Sequence, residues 1–344
     1  MNVYSQHKVK LSIGILVSAL CIYLALRKVD FSEMLQAFQT ANYWYLMPAA
    51  GIVFFSHLLR AFRWKYLLDP IRRLDISALF SSLIIGYAAN TFLPAHLGEF
   101  LRAYVLGKNQ KIPMSPVFAT IVVERIIDVF SLLALMLLAL FIYPFPEWVI
   151  ESGYIMLAGT IGLLIFIIFL KKATSPAMRF ISFIMKPLPE PFEHKTRTML
   201  EKFLAGLLPM KRWSDYITVS LLSFIIWICY GFVFFFCLHA FDFVETYHLE
   251  WSTSLILLVI TTIAVVVPSS PGYVGTYHYL CQITLAMFGV SAGPALSFAT
   301  VVHGVCFIPV FIVGLFFAHL QGTAILKMSE DTVEVEEGVR SGEI

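Results

Sequence analysis

The sequence predicts an all-α membrane protein that crosses the bilayer several times. Of its 344 residues, 59% are hydrophobic and only 13% are charged, whereas a soluble domain carries about twice that share of charge. The mean hydropathy is +0.82, and several apolar runs reach the roughly 20 residues that a spanning helix needs. These runs are continuous rather than alternating, which argues against a transmembrane barrel.

Six uninterrupted apolar runs predict six full spans, and two further runs are broken by proline and glycine. The uninterrupted runs cover about 9–27, 43–60, 116–143, 150–170, 216–240 and 296–319. The interrupted runs cover about 77–107 and 253–289. The first run follows a basic segment as in a signal peptide, but no small-residue cleavage site follows it, so we expect it to be retained.

The distribution of Lys and Arg predicts the topology. Basic residues cluster at 60–73, 102–111 and 171–212, whereas none occurs between Trp213 and Leu326. Placing the basic loops in the cytoplasm puts both termini inside. Each interrupted run must then return to the side from which it entered, as a re-entrant hairpin. The alternative is eight to ten full spans, in which each interrupted run crosses twice.

The hairpin topology makes the chain an inverted repeat. The half-repeats cover about 9–145 and 150–320 and enter the bilayer from opposite sides, a pattern typical of transporters. We treat residues 1–325 as one integral membrane domain with a cytoplasmic loop at 171–215. The acidic segment 326–344 is predicted to be a disordered tail.

Part of the cytoplasmic loop has an apolar helical face. That face consists of Met199, Leu200, Phe203, Leu204, Leu207 and Leu208. Basic residues flank it, which is typical of a helix lying on anionic headgroups. The alternative is a helix packed on the cytoplasmic end of the bundle.

No motif for catalysis, metal binding or ATP binding occurs in the sequence. The five cysteines lie in apolar segments without CxxC spacing, which predicts free thiols. HExxH, P-loop and GxSxG patterns are absent. We therefore expect no enzyme activity, no metal and no cofactor, and any transport must run on a gradient or downhill.

Three polar segments interrupt the apolar sequence, and the first is NTFLPAHLGEFLRAYVLG at 90–107. Its candidate residues are Asn90, Pro94, His96, Glu99 and Arg102. Proline cannot continue a helix, and unpaired backbone within a bilayer is tolerated only where it is buried in protein or lines an aqueous cavity. The segment therefore predicts the tip and returning arm of the first hairpin.

The second polar segment, ATIVVERIIDVF, places three ionisable residues inside a run that is otherwise fit to span. Glu124 and Asp128 are four positions apart and share one helix face. Such residues usually face a polar interior, where Arg102 or Arg125 can neutralise them. The alternative places the three residues at the cytoplasmic membrane edge, where long side chains reach water.

The third polar segment, VVVPSSPGYVGTYHY, breaks the second interrupted run. Its candidate residues are Pro268, Pro271, Gly272, Gly275, Thr276 and His278. Helix ends freed by such breaks present N–H groups and a dipole to an anion. Two broken segments meeting from opposite sides would suit a phosphate-bearing headgroup, and the alternative is a kinked span with a structural hinge.

Taken together, the three segments resemble a known family. The patterns are N-x-x-x-P-x-x-x-G-E-x-x-R from Asn90 to Arg102, then E-R-x-x-D from Glu124 to Asp128, then P-x-x-P-G-x-x-G from Pro268 to Gly275. In this order they resemble the flippase-like UPF0104 family, which is similar to the membrane domain of lysylphosphatidylglycerol synthases. The resemblance covers about 10–320.

The resemblance implies a membrane domain that binds or flips a phospholipid, a glycolipid or a polyprenyl-phosphate-linked lipid in the cytoplasmic membrane. Its expected partners are anionic or phosphate-bearing lipids, with a glycosyltransferase or a second copy of the chain as further possibilities and no nucleic acid. A lipid-modifying enzyme and a glycosyltransferase scaffold are the alternative functions. In this chain His96 stands where many relatives carry Arg, and His278 where many carry Glu.

Overall fold

The computed structural model describes most of the predicted membrane domain. The described residues are 16–93, 97–172, 198–199, 201–204, 206–207, 210–266 and 270–321, with only the backbone described at 171–172 and 265–266. Within these ranges the regular structure is helical and no strand occurs. The predicted acidic tail at 326–344 lies outside the described residues, as do Pro94, His96 and Pro268.

Eleven helices of ten or more residues organise the described ranges. They are α1 (Leu16–Leu26), α2 (Phe31–Thr40), α3 (Leu46–Leu68), α4 (Ile76–Asn90), α5 (Leu97–Gln110), α6 (Met114–Leu140), α7 (Glu147–Lys172), α8 (Trp213–Ala240), α9 (Trp251–Val266), α10 (Thr276–Ala286) and α11 (Ala292–Leu320). Short helical segments lie at Tyr43–Tyr45, Phe243–Thr246 and Pro271–Tyr273.

The lengths and composition of the helices confirm an all-α polytopic membrane protein. Four helical segments are long and apolar enough to cross a bilayer, namely Tyr43–Leu68, Glu147–Leu170, Trp213–Ala240 and Ala292–Leu320. Helix α6 has 27 residues and is therefore about 40 Å long, so it also has the length to span. Unlike these four, it carries two carboxylates near its middle.

Helix α3 corrects the predicted end of the second span. The apolar run predicts that this span ends near residue 60 and that Arg60 and Arg63 lie in a cytoplasmic loop. The helix continues to Leu68, and both arginines are buried inside the bundle. A helix end that is inferred from the first charged residues comes too early here, because the buried carboxylates that neutralise these arginines lie elsewhere in the sequence.

Helices α4 and α5 form the first hairpin. The Asn90 side-chain oxygen accepts a hydrogen bond from the Gly98 N–H at 2.8 Å. A Cβ atom added to Gly86 would lie 2.8 Å from the Cβ of Arg102, so the two helices run antiparallel in close contact. With 15 and 14 residues they are about 22 and 21 Å long, less than the roughly 30 Å of the hydrocarbon core.

Helices α9 and α10 form the second hairpin around the Pro271–Tyr273 turn. Gly272 and Gly275 have φ angles of 67° and 95°, a region that residues with a Cβ adopt at a cost of about 1–2 kcal/mol. A Cβ on Gly275 would also meet the backbone of Ser18 in α1. These glycines therefore allow the chain to turn sharply against a neighbouring helix.

The contacts along α11 show that the two hairpins enter from opposite ends of the bundle. Gln282 of α10 donates to the Ala292 carbonyl at the start of α11, and Gln321 at its end donates to Ser81 of α4. Between these points His303 contacts the second hairpin turn, and Phe311 packs on Phe92 beyond α4. The two hairpin tips therefore meet near the middle of a helix about 43 Å long.

The packing of the helices follows an internal repeat. In each half a long helix, a hairpin and a second long helix follow one another, so that α3 to α6 correspond to α8 to α11. The contacts between helices correspond in the same way. The contact of α3 with α4 corresponds to that of α8 with α9, and the contact of α5 with α6 to that of α10 with α11. The contact of α4 with α11 corresponds to that of α9 with α6. Each half crosses the bilayer twice and α7 crosses once between them, so the halves have opposite orientations, as the inverted repeat predicts.

The amphipathic segment of the predicted cytoplasmic loop packs on the bundle. Leu204 and Leu207 are buried against Ala119 of α6 and Leu170 of α7. Gly206 lies against Pro116 at the start of α6, and Gly293 at the start of α11 lies against α2 in a similar way. Of the two alternatives, the contacts favour the helix packed on the end of the bundle.

Candidate functional site

Four arginines from three helices converge on two carboxylates inside the bundle. Arg60 and Arg63 come from α3, Arg102 from α5 and Arg125 from α6, and the carboxylates are Glu124 and Asp128 of α6. We call these six residues the charge cluster. It joins two of the predicted polar segments to helix α3.

Glu124 is the centre of the charge cluster. Its side chain is fully buried, and its Oε2 lies 2.9 Å from Nη2 of Arg102. Its Oε1 lies 2.8 Å from Nη2 of Arg125 and 3.2 Å from Nη1 of Arg60. Arg63 is 3.4 Å away. All four guanidinium groups therefore reach this one carboxylate.

Asp128 lies one helical turn further along α6 and is held by three of the same arginines. Its Oδ1 lies 2.8 Å from Nη1 of Arg63, and its Oδ2 lies 2.9 Å from Nη1 of Arg60. Nη2 of Arg125 is 3.1 Å away. The shared helix face predicted for Glu124 and Asp128 thus faces the arginines of α3.

Aromatic and hydroxyl groups support the arginines. The guanidinium of Arg102 lies 3.6 Å from the ring centre of Trp64, which donates from Nε1 to Thr120 at 2.8 Å. Arg60 donates to the hydroxyl of Tyr230 at 2.6 Å. Stacking and hydrogen bonding of this kind hold a guanidinium in one orientation.

The charge cluster lies deep in the bundle and carries excess positive charge. Glu124 is ten residues from the start of α6, or about 15 Å along the helix, and its side chain is fully buried, which favours the interior placement over the membrane edge. Glu99 adds a third carboxylate, with Oε1 3.5 Å from Nε of Arg125. Four guanidinium groups against three carboxylates leave one net positive charge.

One side of the charge cluster is accessible. The side chain of Arg125 is 36% exposed and that of Glu99 is 21% exposed, whereas Glu124 is fully buried. Nη2 of Arg125 lies 3.5 Å from the Tyr87 hydroxyl of α4. Tyr273, in the turn of the second hairpin, is within electrostatic range of both Glu99 and Arg125. The accessible side therefore faces the hairpin tips.

The hairpin tips contact each other directly. A Cβ on Gly272 would lie 3.1 Å from the Thr91 carbonyl oxygen at the end of α4. Pro271 begins the turn, and Thr276 donates from Oγ1 to the Tyr273 carbonyl at 3.2 Å. These predicted residues shape the second tip, and Asn90 closes the first hairpin through its bond to Gly98. The structure does not place any of them in the charge cluster.

His278 lies beside a second histidine, His303 of α11. The ring centres of His278 and His303 are 5.0 Å apart, and Nε2 of His303 is 2.7 Å from the Gly272 carbonyl oxygen. In the sequence His303 is isolated on an apolar helix and carries no functional indication. Arg60 and Arg63 were likewise not predicted to be site residues. One signal in the sequence could have indicated a role in the site, since the two arginines lie three positions apart at the end of an apolar run.

The excess of guanidinium groups over carboxylates suits an anion. Among the residues that the structure describes, no group of three or more His, Cys, Asp or Glu side chains could hold a metal ion. Two opposed hairpins and a buried, net-positive cluster define a membrane protein with a candidate anion site at the interface of its two halves.

The chain belongs to the family of the lysylphosphatidylglycerol synthase TM region, whose profile matches residues 11–314. It is similar to a UPF0104 membrane protein of Methanothermobacter thermautotrophicus, with 23% identity over 86% of this chain and 90% of that protein. A UPF0104 membrane protein of Methanocaldococcus jannaschii is 26% identical over 46% of this chain and 49% of its own length.

A third similarity is partial. Glycosyltransferase AglD of Haloferax volcanii is 29% identical over 129 residues, which make up 37% of this chain and 21% of that protein. The match thus leaves most of the glycosyltransferase without a counterpart in this chain. The predicted family resemblance is confirmed by the profile and by the two UPF0104 proteins.

Proposed function

We propose that this protein moves an anionic, phosphate-bearing lipid between the leaflets of the cytoplasmic membrane. The observation that carries the proposal is the charge cluster, in which four arginines meet at mid-depth and, with Glu99 counted, leave one positive charge in excess. Ionisable residues at this depth mark substrate pathways in membrane proteins. A lipid phosphate is the anion that a bilayer supplies in abundance.

The chemistry of the arginines suits exchange of a phosphate for a carboxylate. A guanidinium binds either group through paired hydrogen bonds. Arg125 lies at the accessible side and is paired with Glu99, so a headgroup phosphate can replace Glu99 there. Glu124 and Asp128 stay in place and keep the other arginines from binding the lipid irreversibly.

The opposed hairpins suggest how the headgroup would pass. Because the tips meet near mid-depth, a headgroup reaching the charge cluster from one side is halfway across. Small movements of one half against the other would then open the opposite side, as in other inverted-repeat transporters. The acyl chains would stay in the bilayer and follow the headgroup.

The names of the relatives support a role with lipids or lipid-linked glycans without naming the substrate. We propose a phospholipid, a glycolipid or a polyprenyl-phosphate-linked lipid, and both termini in the cytoplasm. In this proposal the protein carries out no covalent chemistry. Partners other than lipid, such as a glycosyltransferase or a second copy of the chain, would act on lipid that the protein delivers.

The experiment is a translocation assay in proteoliposomes with fluorescent phosphatidylglycerol. We expect the wild-type protein to move the probe from the inner leaflet to the outer leaflet, where an external quencher reaches it. Arg125→Ala should slow this movement at least about tenfold, since the arginine at the accessible side is lost. Arg73→Ala is the matched control, because Arg73 lies on the surface with its side chain 83% exposed. Equal rates for wild type and Arg125→Ala would refute the proposal.

The glycosyltransferase similarity favours a second candidate, a membrane scaffold for a separate glycosyltransferase. A scaffold predicts that Arg125→Ala leaves glycan transfer by the partner unchanged, whereas a transporter predicts loss of delivered substrate. A lipid-modifying enzyme would instead yield a covalently altered lipid, which mass spectrometry of incubated membranes detects.

A further inference from the structure

The second hairpin carries two histidines where the first hairpin carries an ion pair. Glu99 is the third residue of α5 and Arg125 the twelfth of α6, with 3.5 Å between their charged atoms. His278 is the third residue of α10 and His303 the twelfth of α11, with ring centres 5.0 Å apart. In the internal repeat the two pairs occupy equivalent positions.

A proline in each long helix fixes this correspondence. Pro116 is the third residue of α6, and Pro294 is the third residue of α11. Arg125 and His303 each follow their proline by nine residues, so both lie on the same helical face relative to it. The equivalence of the two pairs therefore rests on sequence spacing as well as on contacts.

Each histidine uses one ring nitrogen to hold the hairpin backbone. Nε2 of His303 contacts the Gly272 carbonyl oxygen at 2.7 Å, and this contact requires Nε2 to carry a proton. Nδ1 of His278 accepts from the Gly275 N–H at 3.4 Å. Among the residues that the structure describes, the second nitrogen of each ring has no hydrogen-bond partner, and protonation would turn His303 Nδ1 into a donor.

The described side chains that contact the two rings carry no fixed charge, and the charged groups next in range, Glu99 and Arg125, act on Tyr273 in the turn. The neighbouring titratable side chains are Tyr273 in the turn, Tyr277 of α10, and the cysteines near Tyr277 on α8, α10 and α11. From α1, Ser18 and Ile22 face Gly275. Within the described part of the chain, neither ring forms an ion pair with a carboxylate, and no arginine or lysine contacts either ring. The charge at this position therefore depends on the histidines themselves.

We propose that His278 and His303 form a second anion subsite, which holds a lipid phosphodiester when one ring is protonated. This inference rests on the proposed function and deepens it. The arginines of the first half are charged at every physiological pH, whereas a histidine that is neutral in the empty site can take up a proton when an anion binds beside it. A headgroup that moves from the charge cluster to the histidine subsite takes up one proton from solution and releases it on leaving.

The test uses full-length protein in neutral detergent and dihexanoylphosphatidylglycerol, whose phosphodiester keeps one negative charge over the range used. Affinity and proton uptake are measured by titration calorimetry in buffers of different ionisation enthalpy. The wild-type protein should bind about tenfold more tightly at about pH 5.5 than at about pH 8. It should take up a proton on binding near neutral pH.

Two variants separate a binding role from a structural one. His278→Gln/His303→Gln should bind equally at both pH values and take up no proton. His303→Arg should keep tight binding at the higher pH, because its charge no longer depends on protonation. His239→Gln is the matched control, since His239 stacks on Tyr45 at the far end of α8 and should leave the pH dependence intact.

The outcomes distinguish this inference from the proposed function. Proton uptake that persists in the double glutamine variant, or wild-type binding that does not change with pH, would overturn the histidine subsite even if translocation occurs. Proton-linked binding without translocation would support the subsite and refute the transporter. The same titration with deacylated glycerophosphoglycerol tests which part of the lipid is recognised. If its binding is as strong and as dependent on proton uptake as that of the lipid, the subsite recognises the phosphodiester alone. If its binding is weaker than that of the lipid, the acyl chains contribute.

Discussion

Thr91 and Gly272 bring the two hairpins into contact. Gly272 lies in the turn of the second hairpin with a φ angle of 67°, and an added Cβ would lie 3.1 Å from the Thr91 carbonyl oxygen. The two residues are 181 positions apart in the sequence. Their contact closes the protein interior at the point where the proposed lipid path would change sides.

The first prediction concerns this contact. Gly272→Ala should lower the melting temperature and separate the tips, because the methyl group meets Thr91 while the backbone is held at positive φ. Gly289→Ala is a matched control, since Gly289 has a φ angle of 84° but no atom within 4 Å of an added Cβ. We expect the first variant to lose more stability in a thermal melt. Equal losses would show that only the backbone conformation matters.

The second prediction concerns the centre of the charge cluster. Glu124→Gln should destabilise the protein by about 3–5 kcal/mol, because it leaves buried arginines without their common partner. Glu99→Gln should cost less than about 1 kcal/mol, because Glu99 is partly exposed and, among the described residues, forms an ion pair with Arg125 alone. Thermal unfolding of both variants in the same detergent measures the difference. A stable Glu124→Gln protein would contradict the central position assigned to this carboxylate.

The third prediction concerns the shape of the Arg102 side chain. Arg102→Lys keeps the charge but loses the stacking on Trp64 and the paired bonds to Glu124, so we expect translocation to fall about tenfold or more. Expression should be retained, since a positive charge still faces Glu124. The proteoliposome assay described above measures the rate, and Arg73→Lys serves as its control. Wild-type transport by Arg102→Lys would mean that charge alone is sufficient.

The fourth prediction concerns the orientation of the hairpins. Lys108 lies near the end of α5 at the base of the first hairpin, and Gly289 follows α10 at the base of the second. In a cysteine-free background, single cysteines at these positions should react with a membrane-impermeant maleimide from opposite sides of the membrane. We expect position 108 to react from the cytoplasm. Labelling of both positions from the same side would exclude opposed hairpins.

Much of the architecture could be predicted from the sequence because the bilayer constrains it strongly. Continuous apolar runs indicate the long helices, and the proline and glycine positions at 94–98 and 268–275 indicate the two broken segments. The distribution of loops with and without Lys and Arg predicts the inverted repeat. The spacing of Glu124 and Asp128 predicts their shared face, since that depends only on the helix period.

The composition of the candidate site could be predicted only in part. Glu99, Arg102, Glu124, Arg125 and Asp128 stand out because their own neighbours in the sequence are apolar. Arg60 and Arg63 do not, because they are followed by further basic residues and look like the start of a loop. Assigning them to the interior requires knowing that Glu124 and Asp128 lie opposite, which is a contact between distant segments.

The sequence by itself determined that the chain spans a membrane, which family it resembles, and where its helices break, because these properties depend on local composition and spacing. The tertiary structure decided which charges meet. It placed four arginines around Glu124, left Arg125 and Glu99 at the accessible side, and paired His278 with His303. Each of these depends on how α3, α5, α6, α10 and α11 pack, and the free energy of a buried charge is set by its partners rather than by its neighbours in the sequence.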